Sequence, residues 1–155
     1  MSKSRDPSQL ILWRHAHAEV GLEDSARQLT NRGRKQAARM AGWLKTRLPE
    51  DYRLIASPAV RAQQTAGALN GKFLTRPELA VDTSATGILS AIDWPGCGGI
   101  TLIVGHQPSL GRLAALLISG RADAWSIRKG AVWWLWQRAH EDGVSVRTIV
   151  DPDLV

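Results

Sequence analysis

The chain has 155 residues, of which 44% are hydrophobic and 22% are charged, and its formal net charge is +6 at pH 7. This length and composition predict a single domain over residues 1–155 and exclude a largely disordered protein or a coiled coil. Every apolar run is shorter than the roughly 20 residues that span a bilayer, so no membrane partner is expected. The positive charge suits a nucleic-acid surface or a pocket for an anion.

The terminal residues and the cysteine content give two further expectations. Residues 1–9 are polar and carry both signs of charge. They are expected to form a flexible tail rather than a signal or transit peptide. Cys97 is the single cysteine and lies in a stretch rich in proline and glycine, so it excludes an internal disulfide and is expected to be an ordinary loop residue. A cytoplasmic protein is expected.

The first apolar run, residues 10–13, ends abruptly in Arg14 and His15. Such a run predicts a buried strand, and in open α/β sheets ligands bind beyond the carboxyl ends of strands. Arg14 and His15 are therefore candidate site residues. His15 and His17 also have the spacing that begins some zinc sites, but the chain has only 4 histidines and no Asp or Cys group follows at ligand spacing. We predict no metal site.

The next predicted helix follows a loop over residues 18–28. Thr30 is its expected N-cap and Pro49 its stop. Apolar residues recur along it at helical spacing, whereas its arginines and lysines fall on other faces. We interpret the basic faces as solvated rather than as a nucleic-acid surface.

A second strand is predicted at residues 53–57, directly before a helix start signal. Ser57 is the expected N-cap and Pro58 the first helical residue, with the helix ending at residues 70–71. Helical side chains lean toward the N-terminus, so Arg61 is expected to reach back over the strand end.

The clearest buried strand, residues 100–104, again delivers a histidine, His106, to the turn before a helix. Before this strand the sequence predicts an irregular stretch at residues 73–82 and a short helix at residues 84–92. After it, the sequence predicts a helix at residues 110–117 and two strands, at residues 131–137 and 144–150, that are joined by a hairpin. Trp134 and Trp136 should share one face of their strand and Trp133 the other, packing in or over the core rather than stacking on bases.

The alternation of strands and helices predicts an α/β protein, namely a three-layer α/β/α sandwich with a mainly parallel sheet and an antiparallel edge. If the three strands that precede His15, Ser57 and His106 are parallel neighbours, two arginines and two histidines meet at one sheet edge. Arginine forks and backbone N–H groups at helix starts favour a phosphoryl group. A neutral imidazole in such a pocket is a competent nucleophile toward phosphorus.

At these residues the chain resembles the histidine phosphatase superfamily, which has the phosphoglycerate-mutase-like fold. Its Arg-His-Gly hallmark corresponds to residues 14–16, and three more motifs follow in the expected order, at residues 27–33, 57–65 and 104–108. The small branch of bacterial phosphohistidine phosphatases is the best match. The resemblance covers about residues 10–117.

The resemblance implies a role for each matching residue. His15 would be the nucleophile that becomes phosphorylated, Arg14 and Arg61 would bind the phosphoryl oxygens, and His106 would donate to the developing charge. Arg27 is a further candidate for phosphate binding. Water would hydrolyse the intermediate, and no cofactor is implied.

Two departures from the family pattern concern the hallmark and the general acid. Alanine replaces the hallmark glycine at Ala16, and we expect the turn to tolerate it. The glutamate that serves larger relatives as general acid has no clean counterpart, although Glu78 and Asp82 bracket its place. Because imidazole leaves with less protonation than an alkoxide, this favours phosphohistidine over phosphate esters.

These observations predict a metal-independent phosphatase that acts on phosphohistidine in a protein. A small-molecule phosphomonoesterase is the enzymatic alternative. A non-catalytic module that binds phosphoryl groups or nucleic acid is the alternative from another class.

Overall fold

The computed structural model describes residues 6–69, 71–138 and 141–155. The strands are β1 (Ser8–Arg14), β2 (Arg53–Ala56), β3 (Leu74–Thr75), β4 (Ile100–Gly105), β5 (Val132–Gln137) and β6 (Ser145–Val150). The helices are α1 (Asn31–Lys45), α2 (Val60–Gly67), α3 (Ala85–Ile92) and α4 (Ser109–Ser119). Short 3-10 turns lie at Asp24–Ala26, Pro77–Leu79 and Pro152–Leu154. No helix in the described ranges combines the length and apolarity needed to cross a membrane.

All six strands form one sheet in the order β3-β2-β4-β1-β5-β6. The first four of this order run parallel, whereas β5 pairs antiparallel with both β1 and β6. The predicted mainly parallel sheet with an antiparallel edge is therefore confirmed. The central position of β1 explains its uninterrupted apolar run, because a strand covered on both faces has no polar side.

Two hydrophobic clusters, one on each face of the sheet, form the core. Ile11 and Trp13 of β1 pack on the side of α1 and α2, where Met40 is fully buried. Leu10 and Leu12 pack on the side of α3 and α4. Successive residues of β1 thus serve opposite faces, as the two-residue strand period requires. The helix pairs on the two faces confirm the three-layer sandwich.

The tryptophans of β5 follow the same alternation. Trp134 is buried in the cluster under α1 and packs edge-on against Trp43 at 6.1 Å between ring centroids. Trp133 packs against the opposite cluster. The side chains of Arg138 and Arg147 lie over the half-buried ring of Trp136. The predicted packing of Trp133 and Trp134 in the core is confirmed.

Several element boundaries differ from those expected from the sequence. Helix α1 ends at Lys45, before the stop expected at Pro49. Strand β1 begins at Ser8, so Ser8 and Gln9 belong to the sheet rather than to a tail. Helix α2 begins at Val60 with Ala59 as N-cap, two residues after Ser57, whose hydroxyl accepts the Ala59 N–H and also bonds the ring of His106. The same helix ends at Gly67. The N-cap expected at Thr30 is confirmed, since its hydroxyl accepts from the Gly33 N–H at 3.0 Å.

Candidate active site

The carboxyl ends of β1, β4 and β2 lie side by side and deliver the candidate residues to one place. The His15 N–H donates to the Gly105 carbonyl at 3.0 Å, and the Ser57 N–H donates to the Val104 carbonyl at the same distance. His106 follows β4 directly. A cavity of about 470 Å³ opens there, lined by Arg14, His15, Ala18, Asp24, Arg27, Arg61, Val81, Asp82, His106, Gln107 and Lys129. The predicted convergence of Arg14, His15, Arg61 and His106 is therefore observed.

The His15 ring is held with Nδ1 protonated and Nε2 unprotonated. Nδ1 lies 2.8 Å from the Ala16 carbonyl oxygen, which only accepts, so Nδ1 carries the proton. Nε2 therefore carries the lone pair of the neutral ring and accepts the Arg61 Nε–H at 3.3 Å. Burial, followed by the nearby charges of His106, Arg61 and Arg14, lowers the pKa of His15 to about 3. The imidazole is neutral, and hence nucleophilic, near pH 7.

The turn after His15 accommodates alanine. Ala16 is fully buried in the core, and its N–H donates to the Thr65 hydroxyl at 3.1 Å. Among the described residues other than glycine, Asp82 and Asp93 are the ones with a positive φ, so the φ angle of Ala16 is not positive. No glycine is needed where φ stays negative. The expectation that the turn survives is confirmed.

The Arg61 guanidinium is almost fully buried and is paired with Asp24. Its Nη2 donates to the Asp24 carboxylate at 3.0 Å, and its Nη1 donates to the Asp24 backbone carbonyl at 2.7 Å. A buried cation requires such a partner, because removing it from water unpaired is costly. The hydrogen bond from Arg61 is the main cause that lowers the pKa of the Asp24 carboxyl. Asp24 is thus ionised and orients Arg61.

The sequence did not single out Asp24, which lies in the acidic stretch predicted as a loop. The signal that points to it is its spacing from Arg27, three residues later. Arg27 binds the Asp24 carboxylate through Nε at 3.2 Å and also donates to the Glu19 carbonyl. Arg27 lines the same cavity as Arg14 and Arg61.

Arg14 supplies the second guanidinium of the cavity. Its Nη1 donates to the Ile127 carbonyl at 2.9 Å, whereas its buried Nε has no hydrogen-bond partner among the residues that the structure describes. Burial and the charge of Arg61 lower the pKa of Arg14. Two neighbouring guanidinium groups favour an anion between them, and a phosphoryl group matches their planar donors.

His106 lies beside His15, with 5.2 Å between the ring centroids. Its Nε2 is 2.7 Å from the Ser57 hydroxyl, and its Nδ1 has no protein partner in the described ranges. Burial, followed by the charge of Arg61, lowers the pKa of His106 to about 4. The ring is therefore neutral near pH 7.

The remaining candidates divide between the cavity and its surroundings. Asp82 is exposed and lines the cavity, whereas Glu78 lies in the exposed turn Pro77–Leu79 and is not among the lining residues. His17 bonds the Thr30 hydroxyl through Nδ1 at 2.7 Å and lines a neighbouring cavity. In the described part of the chain, no three His, Cys, Asp or Glu side chains are grouped to hold a metal ion.

Comparison with known proteins identifies the family. Residues 10–83 match the family model of the histidine phosphatase superfamily, branch 1. The phosphohistidine phosphatase SixA of Escherichia coli is 32% identical in an alignment of 123 positions that covers 72% of this chain and 75% of that protein. The chain belongs to the histidine phosphatase superfamily. It is a phosphatase.

Solved structures of superfamily members share the fold. A protein histidine phosphatase SixA complexed with tungstate has a TM-score of 0.81 at 23% identity, over 94% of this chain and 98% of that one. The α-ribazole phosphatase of Shigella flexneri has a TM-score of 0.74 at 16% identity, over 93% and 96%. The phosphoglycerate-mutase-like architecture expected from the sequence is confirmed.

Proposed function

We propose that the protein hydrolyses phosphohistidine in a protein substrate, through a covalent intermediate on His15 and without a metal ion. The observation that carries this proposal is the His15 ring, whose Nδ1 is held by the Ala16 carbonyl while Nε2 presents a lone pair beside Arg61. A histidine with this tautomer and a low pKa is ready to attack without prior deprotonation.

In the first step, the Nε2 lone pair of His15 exchanges its hydrogen bond from the Arg61 Nε–H for a bond to phosphorus, and the P–N bond to the substrate ring breaks. The departing nitrogen keeps the electron pair of that bond, and a proton on the other ring nitrogen makes the leaving group neutral imidazole. The Ala16 carbonyl stabilises the positive charge on the phosphorylated His15 ring through Nδ1–H. Arg14 and Arg61 balance the charge on the transferring oxygens.

In the second step, water attacks phosphorus and the P–Nε2 bond breaks, which returns the electron pair to His15 and releases inorganic phosphate. The charge balance in both steps comes from guanidinium groups, and this supports a reaction that needs no metal. Arg27 and Lys129, which also line the cavity, add positive charge around the same anion.

The ionised Asp24 carboxylate favours phosphohistidine over an ester. An alkoxide leaving group requires a proton, whereas a neutral imidazole does not. Asp24 is held ionised by Arg61 and is a poor proton donor at neutral pH. The likeness to SixA, named a phosphohistidine phosphatase, supports the same substrate class.

The setting of the site supports a protein-borne substrate in the cytoplasm. The cavity opens to solvent beside the exposed residues Val81 and Asp82, so a side chain carried on another protein can reach it. Cys97 is unpaired and exposed, a state that is maintained in the reducing cytoplasm.

A small phosphate ester is the second candidate substrate. Asp82 is the observation that favours it, because this exposed carboxyl lines the cavity and can reach a leaving oxygen as a proton donor. The shared fold with an α-ribazole phosphatase is compatible with such a substrate.

The decisive experiment compares substrates and variants in excess EDTA. We expect the full-length protein to release phosphate from a histidine-phosphorylated protein faster than from a sugar phosphate. His15→Ala should abolish release, whereas His17→Ala, which removes a histidine outside the cavity, should retain it. A phosphoprotein adduct that is acid-labile and base-stable should form on the wild type and not on His15→Ala. Activity that requires added metal, or an adduct that persists in His15→Ala, would contradict the proposal.

A further inference from the structure

The Ser57 hydroxyl connects the start of α2 to the ring of His106. Ser57 is fully buried, and its Oγ lies 2.7 Å from His106 Nε2. The same Oγ accepts the Ala59 N–H at 3.2 Å. Ser57 is not among the residues that line the cavity, and His106 is the cavity residue that its hydroxyl contacts.

The direction of the Ser57–His106 hydrogen bond follows from a count of protons. A hydroxyl carries one proton and accepts up to two. Since the Ala59 N–H already donates to Oγ, the hydroxyl proton needs an acceptor, and His106 Nε2 is its one partner of that kind within the described residues. If Nε2 were the donor, the buried hydroxyl proton would have no acceptor, which is costly.

The neutral ring then has its single proton on the other nitrogen. Burial keeps His106 uncharged near pH 7, so a ring that accepts at Nε2 carries N–H at Nδ1. This Nδ1 is buried without a protein partner in the described ranges and belongs to a ring that lines the cavity. It is therefore free to donate to a bound oxygen.

We propose that Ser57 is a positioning residue that holds His106 in the tautomer with N–H at Nδ1, which makes His106 a hydrogen-bond donor to the phosphoryl group. The donor role rests on the proposed function, whereas the tautomer itself does not. A donor that is oriented before the reaction stabilises the charge of the transition state without reorganisation.

The tautomer is measured directly by nitrogen-15 NMR of the histidine rings in the full-length protein at pH 7. We expect a pyrrole-type Nδ1 and a pyridine-type Nε2 for His106 in the wild type. In Ser57→Ala the two nitrogens should shift toward each other, as a mixture of tautomers forms. Ser57→Thr, which keeps the hydroxyl, should retain the wild-type pattern.

Kinetics test the consequence with a matched control. On a histidine-phosphorylated protein, we expect Ser57→Ala to lower kcat/KM about 10-fold, the effect of one hydrogen bond. Ser109→Ala removes another buried hydroxyl, one without a partner among the described residues, and should leave both kcat/KM and the His106 spectrum unchanged. In His106→Asn, where an amide N–H takes the place of Nδ1–H, the effect of Ser57→Ala should shrink to less than about 2-fold.

The outcomes separate this inference from the proposed function. A wild-type spectrum with the proton on Nε2, or one that Ser57→Ala leaves unchanged, overturns the assignment whatever the activity. The expected spectrum in a protein that does not cleave phosphohistidine supports the tautomer and removes the donor role along with the proposed substrate. An undiminished effect of Ser57→Ala in the His106→Asn background shows that Ser57 acts by another route.

Discussion

Replacing Gly33 with alanine tests how closely α1 must pack against the loop that follows His15. A Cβ atom on Gly33 would lie 1.9 Å from the His17 carbonyl oxygen, whereas Cβ atoms essentially never approach closer than 3.0 Å. The helix and the loop must therefore separate by about 3.0 − 1.9 = 1.1 Å. The Thr30 N–H donates to that same carbonyl at 3.1 Å, so the separation strains an existing hydrogen bond.

We expect Gly33→Ala to lower the free energy of unfolding by about 2 kcal/mol. Overpacking against a backbone carbonyl costs up to about 3 kcal/mol, and the higher helix propensity of alanine returns about 1 kcal/mol. For a chain of this size the loss corresponds to a fall in Tm of roughly 4–8 °C. Phosphatase activity should fall as well, because the loop carrying His15 moves with the contact.

The matched control is Gly42→Ala in the same helix. Gly42 is exposed and a Cβ there meets nothing within 4 Å, so alanine should stabilise the protein by about 0.5–1 kcal/mol through helix propensity alone. Both variants are measured by urea unfolding at pH 7 and by phosphate release. Equal, stabilising effects of the two substitutions would refute the inference that the contact between Gly33 and His17 restrains the site.

Three further predictions concern the charged groups of the site. The pKa of His15 is lowered to about 3 and that of His106 to about 4, below an unfolded value near 6.5, so the unfolded chain binds more protons as the pH falls. The free energy of unfolding, measured by urea titration, should therefore drop by about 2 kcal/mol per histidine from pH 7 to pH 5. If the variant with Asn at both positions loses as much stability over this pH range as the wild type, the explanation is wrong. Asp24→Asn should lower kcat/KM about 10-fold by loosening Arg61, and an effect no larger than that of the neighbouring Glu23→Gln would remove Asp24 from that role. Asp82→Asn should slow ester hydrolysis more than phosphohistidine hydrolysis, and equal slowing of both would argue against proton donation.

The central strands and the positions of the candidate site residues at their ends could be predicted because the relevant signals are local. Strand β1 is apolar at four successive positions and ends in Arg14 and His15, and β4 ends in the same way before His106. Parallel neighbours bring such ends together, so the site followed from the strand pattern and the family motifs. The Ser57 hydroxyl accepts the Ala59 N–H near the helix start, as its local sequence suggests, but its bond to the ring of His106, 49 residues away, is one that no local rule includes.

By itself, the sequence determined the layers around the sheet and the candidate site residues at the strand ends, because apolar periodicity and strand ends depend on neighbours in the chain. Only the tertiary structure decided which acid balances Arg61 and which proton each histidine carries. Asp24 lies 37 residues before Arg61, and the hydrogen bonds that set the two tautomers come from the Ala16 carbonyl and the Ser57 hydroxyl. Ion pairs and hydrogen bonds in a buried site join groups about 3 Å apart in space, and such distances arise only when distant segments of the chain pack together.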